Sequence, residues 1–322
     1  MPAALVPTRY LWQFARMLPT RNGSVRLFRF AGVEVFLHWS WFIIAMIAIT
    51  QRNREYSSML FNVLEYLALF AIVLLHEFGH SLACRQVGGR ADQIVLWPLG
   101  GVAYVAPPQR PGATLWSIAA GPLVNVVLLP VFFLAWWGAG QMGWNESLPD
   151  VYRLLKIIAI INTALLVFNM LPIYPLDGGQ ILRALLWFPF GRARSLMIAA
   201  IIGFVGVALL FGLALLQRSM WTGIMAAFVL MNCVSGFRHA RQLVAVEKLP
   251  RRAGFACPEC KASPPVGNFW GCGKCRNALD AFASPGMCPH CGEGFPATTC
   301  PDCGAARPVG EWVVAPPPMR RG

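Results

Sequence analysis

Six blocks of apolar residues, at about 35–50, 60–83, 115–137, 154–171, 195–216 and 221–237, are separated by short polar or basic connections. Each approaches the ~20 residues a helix needs to cross a bilayer, and in lipid only helices and closed barrels satisfy their own backbone groups. The blocks are continuous rather than alternating, which predicts an all-α polytopic membrane protein of about six transmembrane helices. Composition agrees, since 57% of the residues are hydrophobic and 13% charged. Soluble domains carry roughly a quarter charged residues. Arg9, Arg16, Arg21, Arg26 and Arg29 precede the first long apolar block, a pattern expected of a retained cytoplasmic N-terminus rather than a cleaved leader. Arg85, Arg90, Arg110, Arg183, Arg192, Arg194, Arg238, Arg241, Lys248, Arg251 and Arg252 then fall on that same side. The opposite side has only Arg52, Arg54, Arg218 and the mixed connection 146–156. The positive-inside bias therefore predicts that both termini are cytoplasmic. Topology also accounts for the net charge of +13 without a nucleic-acid partner.

Two connections are unlike ordinary loops. Segment 94–105 is apolar and β-prone, interrupted by Pro98, Gly100 and Gly101. It reads as a re-entrant β-hairpin lining a cavity, with a greasy interfacial loop as the alternative. Segment 169–179 places two prolines and two glycines around Asp177, ending the fourth helix in a rigid elbow.

The second block ends in His76-Glu77-Phe78-Gly79-His80. Residues four apart share a helix face, so both imidazoles can hold one zinc while Glu77 addresses a water beside it, the chemistry of a zinc peptidase. From Leu60 to His76 the helix rises ~24 Å, still within a hydrocarbon core about 30 Å thick. Ionisable groups at such depth cost ~2.5–3.5 kcal/mol to insert, which makes them functional candidates by default. A catalytic zinc takes three protein ligands and keeps one position open. Asp177 is the expected third ligand, because the second and fourth helices descend to the same face. Asn169 is a candidate oxyanion donor, a helix–helix hydrogen bond being its alternative, and Asn125 is either structural or a substrate contact. Gly100 and Gly101 would meet a substrate strand added to the hairpin edge. Glu65, eleven residues before His76, is too remote for the metal and reads as an interfacial or helix-packing residue, with a gating role as the lesser alternative.

These motifs resemble the site-2 protease family of intramembrane zinc metalloproteases. The likeness covers roughly 25–240 and includes the His-Trp-Ser of 38–40, Trp-Pro-Leu-Gly-Gly-Val at 97–102, Gly121-Pro122-Leu123-Val124-Asn125 and the elbow's Pro-Leu-Asp-Gly. It implies His76, His80 and Asp177 as zinc ligands, Glu77 as catalytic acid and base, and a membrane-spanning protein as substrate. The expected location is a bacterial cell membrane. A non-proteolytic zinc-binding adaptor or transporter is the alternative, disfavoured by the general base beside the ligands.

Eight of ten cysteines form four Cys-x-x-Cys pairs: Cys257/Cys260, Cys272/Cys275, Cys288/Cys291 and Cys300/Cys303. This spacing predicts two structural zinc sites in a small cytosolic zinc-ribbon module, with consecutive, nested and crossed pairing all open. With few basic residues, the module is expected to engage a protein rather than nucleic acid. The resulting division is a cytosolic segment 1–34, a membrane metalloprotease domain 35–240, a linker 241–256, the ribbon-like domain 257–311 and a disordered tail 312–322.

Overall fold

The computed structural model describes residues 4–5, 23–51, 56–97, 100–284 and 286–314. Arg9, Arg16, Arg21, Arg52, Arg54, Pro98 and 315–322 of the expected tail lie outside the described residues, whereas Trp312, the first residue of that tail, is buried in the core of the cysteine-rich unit rather than disordered. Two compact units emerge, one drawn from 17–107 and 111–240, the other from 241–322 together with 1–16 and 108–110.

The first unit opens with strands β1 (Ser24–Phe30) and β2 (Val33–His38), then helices α1 (Ser40–Gln51) and α2 (Met59–Gln86). Strands β3 (Arg90–Trp97) and β4 (Gly100–Ala106) follow. Helices α3 (Pro111–Gln141), α4 (Pro149–Asn169), α5 (Asp177–Gln217) and α6 (Met220–Glu247) complete it. Among the described residues, α2, α3, α4 and α5 are long and apolar enough to cross a membrane. Their outward residues are bare hydrocarbon, as at Leu209 (71% exposed) and Leu216 (85%), a surface that water would not tolerate but lipid does.

The first expected helix, 35–50, is corrected. Residues Val33–His38 form a strand, and α1 is only 12 residues long. At 1.5 Å per residue that is ~18 Å, short of a hydrocarbon core. The strand wins because Val33, Val35 and Leu37 alternate toward a covered face and join Ile94 and Leu96 against Val73 and Phe78 of α2. The hairpin exists, but it is part of a four-stranded sheet, order β1-β2-β3-β4, with β2 and β3 parallel and the other pairs antiparallel. Strand β4 is an edge. The fifth helix begins at Asp177 rather than 195, and Gly191 breaks it with φ 79° and ψ 173°. Ser58 caps α2, its hydroxyl accepting from Leu60 N at 3.3 Å.

The second unit has small antiparallel pairs, Trp270–Gly271 with Ala278–Leu279 and Ala297–Thr299 with Ala306–Pro308. Its core is Trp270, Leu279, Phe282, Phe295 and Trp312 with the buried cysteines. So few apolar residues make a thin core, the situation in which metal sites are needed for stability.

Candidate metal centre

Helices α2 and α3 run antiparallel, and each presents one stripe of residues four apart to the other. His76 and His80 on α2 face Ser117, Gly121 and Asn125 on α3. The Ser117 carbonyl can only accept, so His80 Nδ1 donates to it, at 2.9 Å. Asn162 of α4 donates from Nδ2 to the Asn125 carbonyl at 3.0 Å, and its Oδ1 accepts from Asn125 Nδ2 at 2.9 Å. Asn125 Oδ1 must then face His76 Nδ1 and accept from it, at 2.6 Å. Both imidazoles are therefore held with Nδ1 protonated and the Nε2 lone pair free for a cation.

Those two lone pairs converge with a carboxylate. His76 Nε2 lies 3.1 Å from His80 Nε2 and 3.0 Å from Asp177 Oδ2, and His80 Nε2 lies 3.5 Å from the same oxygen. A tetrahedral ion with bonds of about 2.0–2.1 Å imposes ligand–ligand spacings of ~3.3 Å, so this triangle fits zinc. Asp177 reaches it because Pro172 and Pro175 end α4 in a tight elbow, tied by Ile173 N to Leu171 O and Leu176 N to Ile173 O, and α5 starts on the aspartate. Glu77 is buried beside the triangle and accepts from Ala103 N of β4 at 2.9 Å. The hairpin passes so close that a Cβ on Gly101 would sit 2.6 Å from Glu77 Oε1. Only glycine admits that approach.

The remaining sequence candidates divide. Asn125 is fully buried and bonded to His76, in line with the structural one of its two readings. Gly100, at φ 138°, begins β4. Asn169 is half-buried as the last residue of α4 and makes no hydrogen bond to the triangle or to Glu77 among the described residues. Glu65 is buried three turns away, where it accepts from Tyr56 OH at 2.9 Å. Sequence reading missed Asn162, although a lone amide in Ile157–Ala164, an otherwise apolar run but for Thr163, was a signal: unpaired, it would be costly in lipid. The Ser117 carbonyl had no signal, because any residue supplies one.

Removing the Asn125 side-chain acceptor (Asn125→Ala) should weaken zinc affinity at this centre by ~10–100-fold, the usual effect of losing a histidine's outer partner. Competition titration against a zinc chelator would measure it; unchanged affinity would show that Asn125 does not orient the ring.

Comparisons with known proteins find zinc metalloproteases among the relatives. The peptidase family M50 model matches residues 65–148 and 142–213. Over residues 65–213 the chain is similar to peptidase family M50. A zinc metalloprotease of Methanocaldococcus jannaschii is 35% identical over 194 residues, covering 60% of this chain and 55% of that protein. A putative zinc metalloprotease of Synechocystis is 29% identical over 239 residues, covering 68% and 61%. Stage IV sporulation protein FB of Bacillus subtilis is 32% identical over 183 residues, covering 55% and 58%. The chain thus spans less than two thirds of these relatives' lengths. A solved site-2 protease from M. jannaschii matches at TM-score 0.48 and 27% identity, covering 66% of this chain and 95% of that one. The matched region contains the whole triangle and Glu77, and its apolar helices make this an integral membrane protein.

In the cysteine-rich unit the pairing is nested. Cys257 and Cys260 meet Cys300 and Cys303, while Cys272 and Cys275 meet Cys288 and Cys291. Sγ separations are 3.7 Å for Cys257–Cys303, Cys260–Cys300 and Cys275–Cys288, and 3.6 Å for Cys272–Cys291. Zinc–sulfur bonds of ~2.3 Å in a tetrahedron give about 3.8 Å. A disulfide needs about 2.05 Å, so these are metal-type clusters. All four knuckles repeat one turn: the residue after the second cysteine (Lys261, Arg276, Gly292, Gly304) has positive φ and donates to the first cysteine's carbonyl.

Proposed function

We propose that this chain is an intramembrane zinc endopeptidase that hydrolyses peptide bonds of membrane-spanning proteins. The observation carrying this reading is the convergence of His76, His80 and Asp177 on one point, with Glu77 buried beside it and bonded to the edge strand β4. Zinc bound there would supply a Lewis acid that polarises the scissile carbonyl and lowers the pKa of water toward ~7. Glu77 takes the proton of the attacking water and returns it to the leaving amine. Asn169, whose amide is uncommitted among the described residues, is the donor assigned to the tetrahedral oxyanion.

A helical substrate hides its carbonyls, so the segment to be cut must open into a strand. The edge of β4 is assigned to receive it: Gly100 and Gly101 lack side chains that would obstruct a second backbone, while Ala103 N stays bonded to Glu77. Pairing to that edge places the opened carbonyl over the metal triangle by main-chain hydrogen bonds alone, which tolerates varied sequences. The distribution of arginines supports cytoplasmic termini in a cell membrane. The full complement is then one catalytic and two structural zinc ions, the latter holding a cytosolic ribbon that engages a protein partner or gates the substrate.

The test is to reconstitute the full-length protein with a panel of single-span membrane proteins and map new termini by mass spectrometry. Cuts within spanning segments should appear, vanish when 1,10-phenanthroline strips the exchangeable zinc, and return with added zinc. Cleavage indifferent to the chelator would overturn the proposal.

A further inference from the structure

Helix α5 begins on Asp177 itself, so the direction of that carboxylate is set by the elbow in front of it. The elbow in turn sits in a notch between α5 and α6. Three buried glycines line the notch, Gly203 and Gly206 on α5 and Gly236 on α6, and Ile173 and Tyr174 of the elbow fill it. A Cβ on Gly236 would meet Tyr174 Cε1 at 2.5 Å, and one on Gly206 would come closer still to Ile173 Cγ1. Larger side chains and the elbow cannot share this space.

The main chain is held as well as the side chains. Cys233, fully buried on α6, donates from Sγ to the Tyr174 carbonyl at 2.8 Å, and Gly203 faces both of these groups. Ile173 packs against Val207 of α5 and against Val229 and Cys233 of α6. Short bonds then carry the seat to the ligand: the Ile173 carbonyl accepts from Leu176 N at 2.8 Å, and the Leu176 carbonyl accepts from Gln180 N at 3.0 Å. Gln180 Nε2 closes the same turn by donating to the Pro175 carbonyl at 2.9 Å. Asp177 lies inside this braced turn, with Oδ2 3.0 Å from His76 Nε2. Metal–ligand distances tolerate only about 0.2 Å, so a shift of the elbow is a shift out of the site.

We propose that Tyr174, Cys233 and Gly236 are positioning residues for the metal centre. The triangle takes no donor from α6, yet α6 sets where Asp177 stands by seating the elbow. The inference rests on the reading of His76, His80 and Asp177 as the metal ligands.

Full-length protein in detergent is titrated with zinc against a competing chelator, with the zinc retained by the cysteine clusters counted separately by elemental analysis. Tyr174→Ala and Gly236→Val should each weaken zinc at the triangle by ~10–100-fold, the scale of losing a group that orients a ligand. Tyr174→Phe keeps the ring in its seat and should restore wild-type affinity. Cys233→Ser retains a donor and Cys233→Val removes it, so only the second should weaken binding, by roughly threefold.

The deciding measurement repeats Tyr174→Ala in the Asp177→Ala background, where two imidazoles still hold zinc weakly. A seat that acts through Asp177 has nothing left to place there, so the added substitution should change affinity by less than about twofold. A further loss of about tenfold would show that Tyr174 props the helices of the two histidines instead, and would overturn the inference. Asp177→Ala alone separates this result from the reading beneath it. Unchanged zinc binding in that variant would remove the metal centre and the seat together; binding weakened there but equal to wild type in Tyr174→Ala and Gly236→Val would remove the seat only. Should Gly236→Val fail to give a monodisperse protein, Gly236→Ala adds a single methyl and carries the test, with a loss in the same direction expected.

Discussion

Replacing Glu77 by Gln is expected to lower peptide-bond hydrolysis by ~10²–10⁴-fold, the range that general acid–base catalysis contributes, with zinc content unchanged. Glutamine is nearly isosteric, and its Oε1 can still accept from Ala103 N, so the hairpin keeps its anchor. What disappears is the capacity to take a proton from water and give it to the amine. Glu77 is not one of the three converging donors, so the metal should stay. Zinc analysis and cleavage of a reconstituted membrane substrate, done on one preparation, separate the two effects. Wild-type turnover in the Gln variant would eliminate the general-base role. Parallel loss of zinc and activity would show that Glu77 is a ligand.

Gly121→Ala should abolish activity through the metal rather than the base. A Cβ at this position would sit 2.8 Å from His76 Nε2 and closer still to the His80 ring. A free imidazole could swing aside, but each ring is pinned at Nδ1, His80 by the Ser117 carbonyl and His76 by Asn125. Turning either ring breaks its bond and opens the triangle. The expected result is a folded protein that no longer holds zinc at this triangle while the cysteine clusters keep theirs, with no detectable cleavage. Elemental analysis after gel filtration checks this, and full zinc occupancy with normal cleavage would show that the helices separate to admit the methyl.

Much of this was legible before any fold was known. His76, Glu77 and His80 declare themselves by helical spacing, Asp177 by its elbow, and the eight cysteines by theirs. Such signals are local: a period of 3.6 or a two-residue gap is a property of neighbouring residues. The strand at Val33–His38 was hidden because an apolar run does not distinguish a buried strand from the start of a helix. Its partner, β3, lies more than fifty residues away. Asn125 carried the same difficulty, since its amide could serve a substrate or a histidine and only the α2–α3 packing chooses.

By itself the sequence determined which chemical groups are present, that they lie in lipid, and which of them share a helix face. Tertiary structure alone decided that the cysteine pairs nest, that Asn162 and Asn125 fix the tautomer of His76, and that β4 lays its open edge against Glu77. The reason is physical. Spacing along one element follows from backbone geometry, whereas a contact between elements depends on how side chains of distant segments fill the space between them.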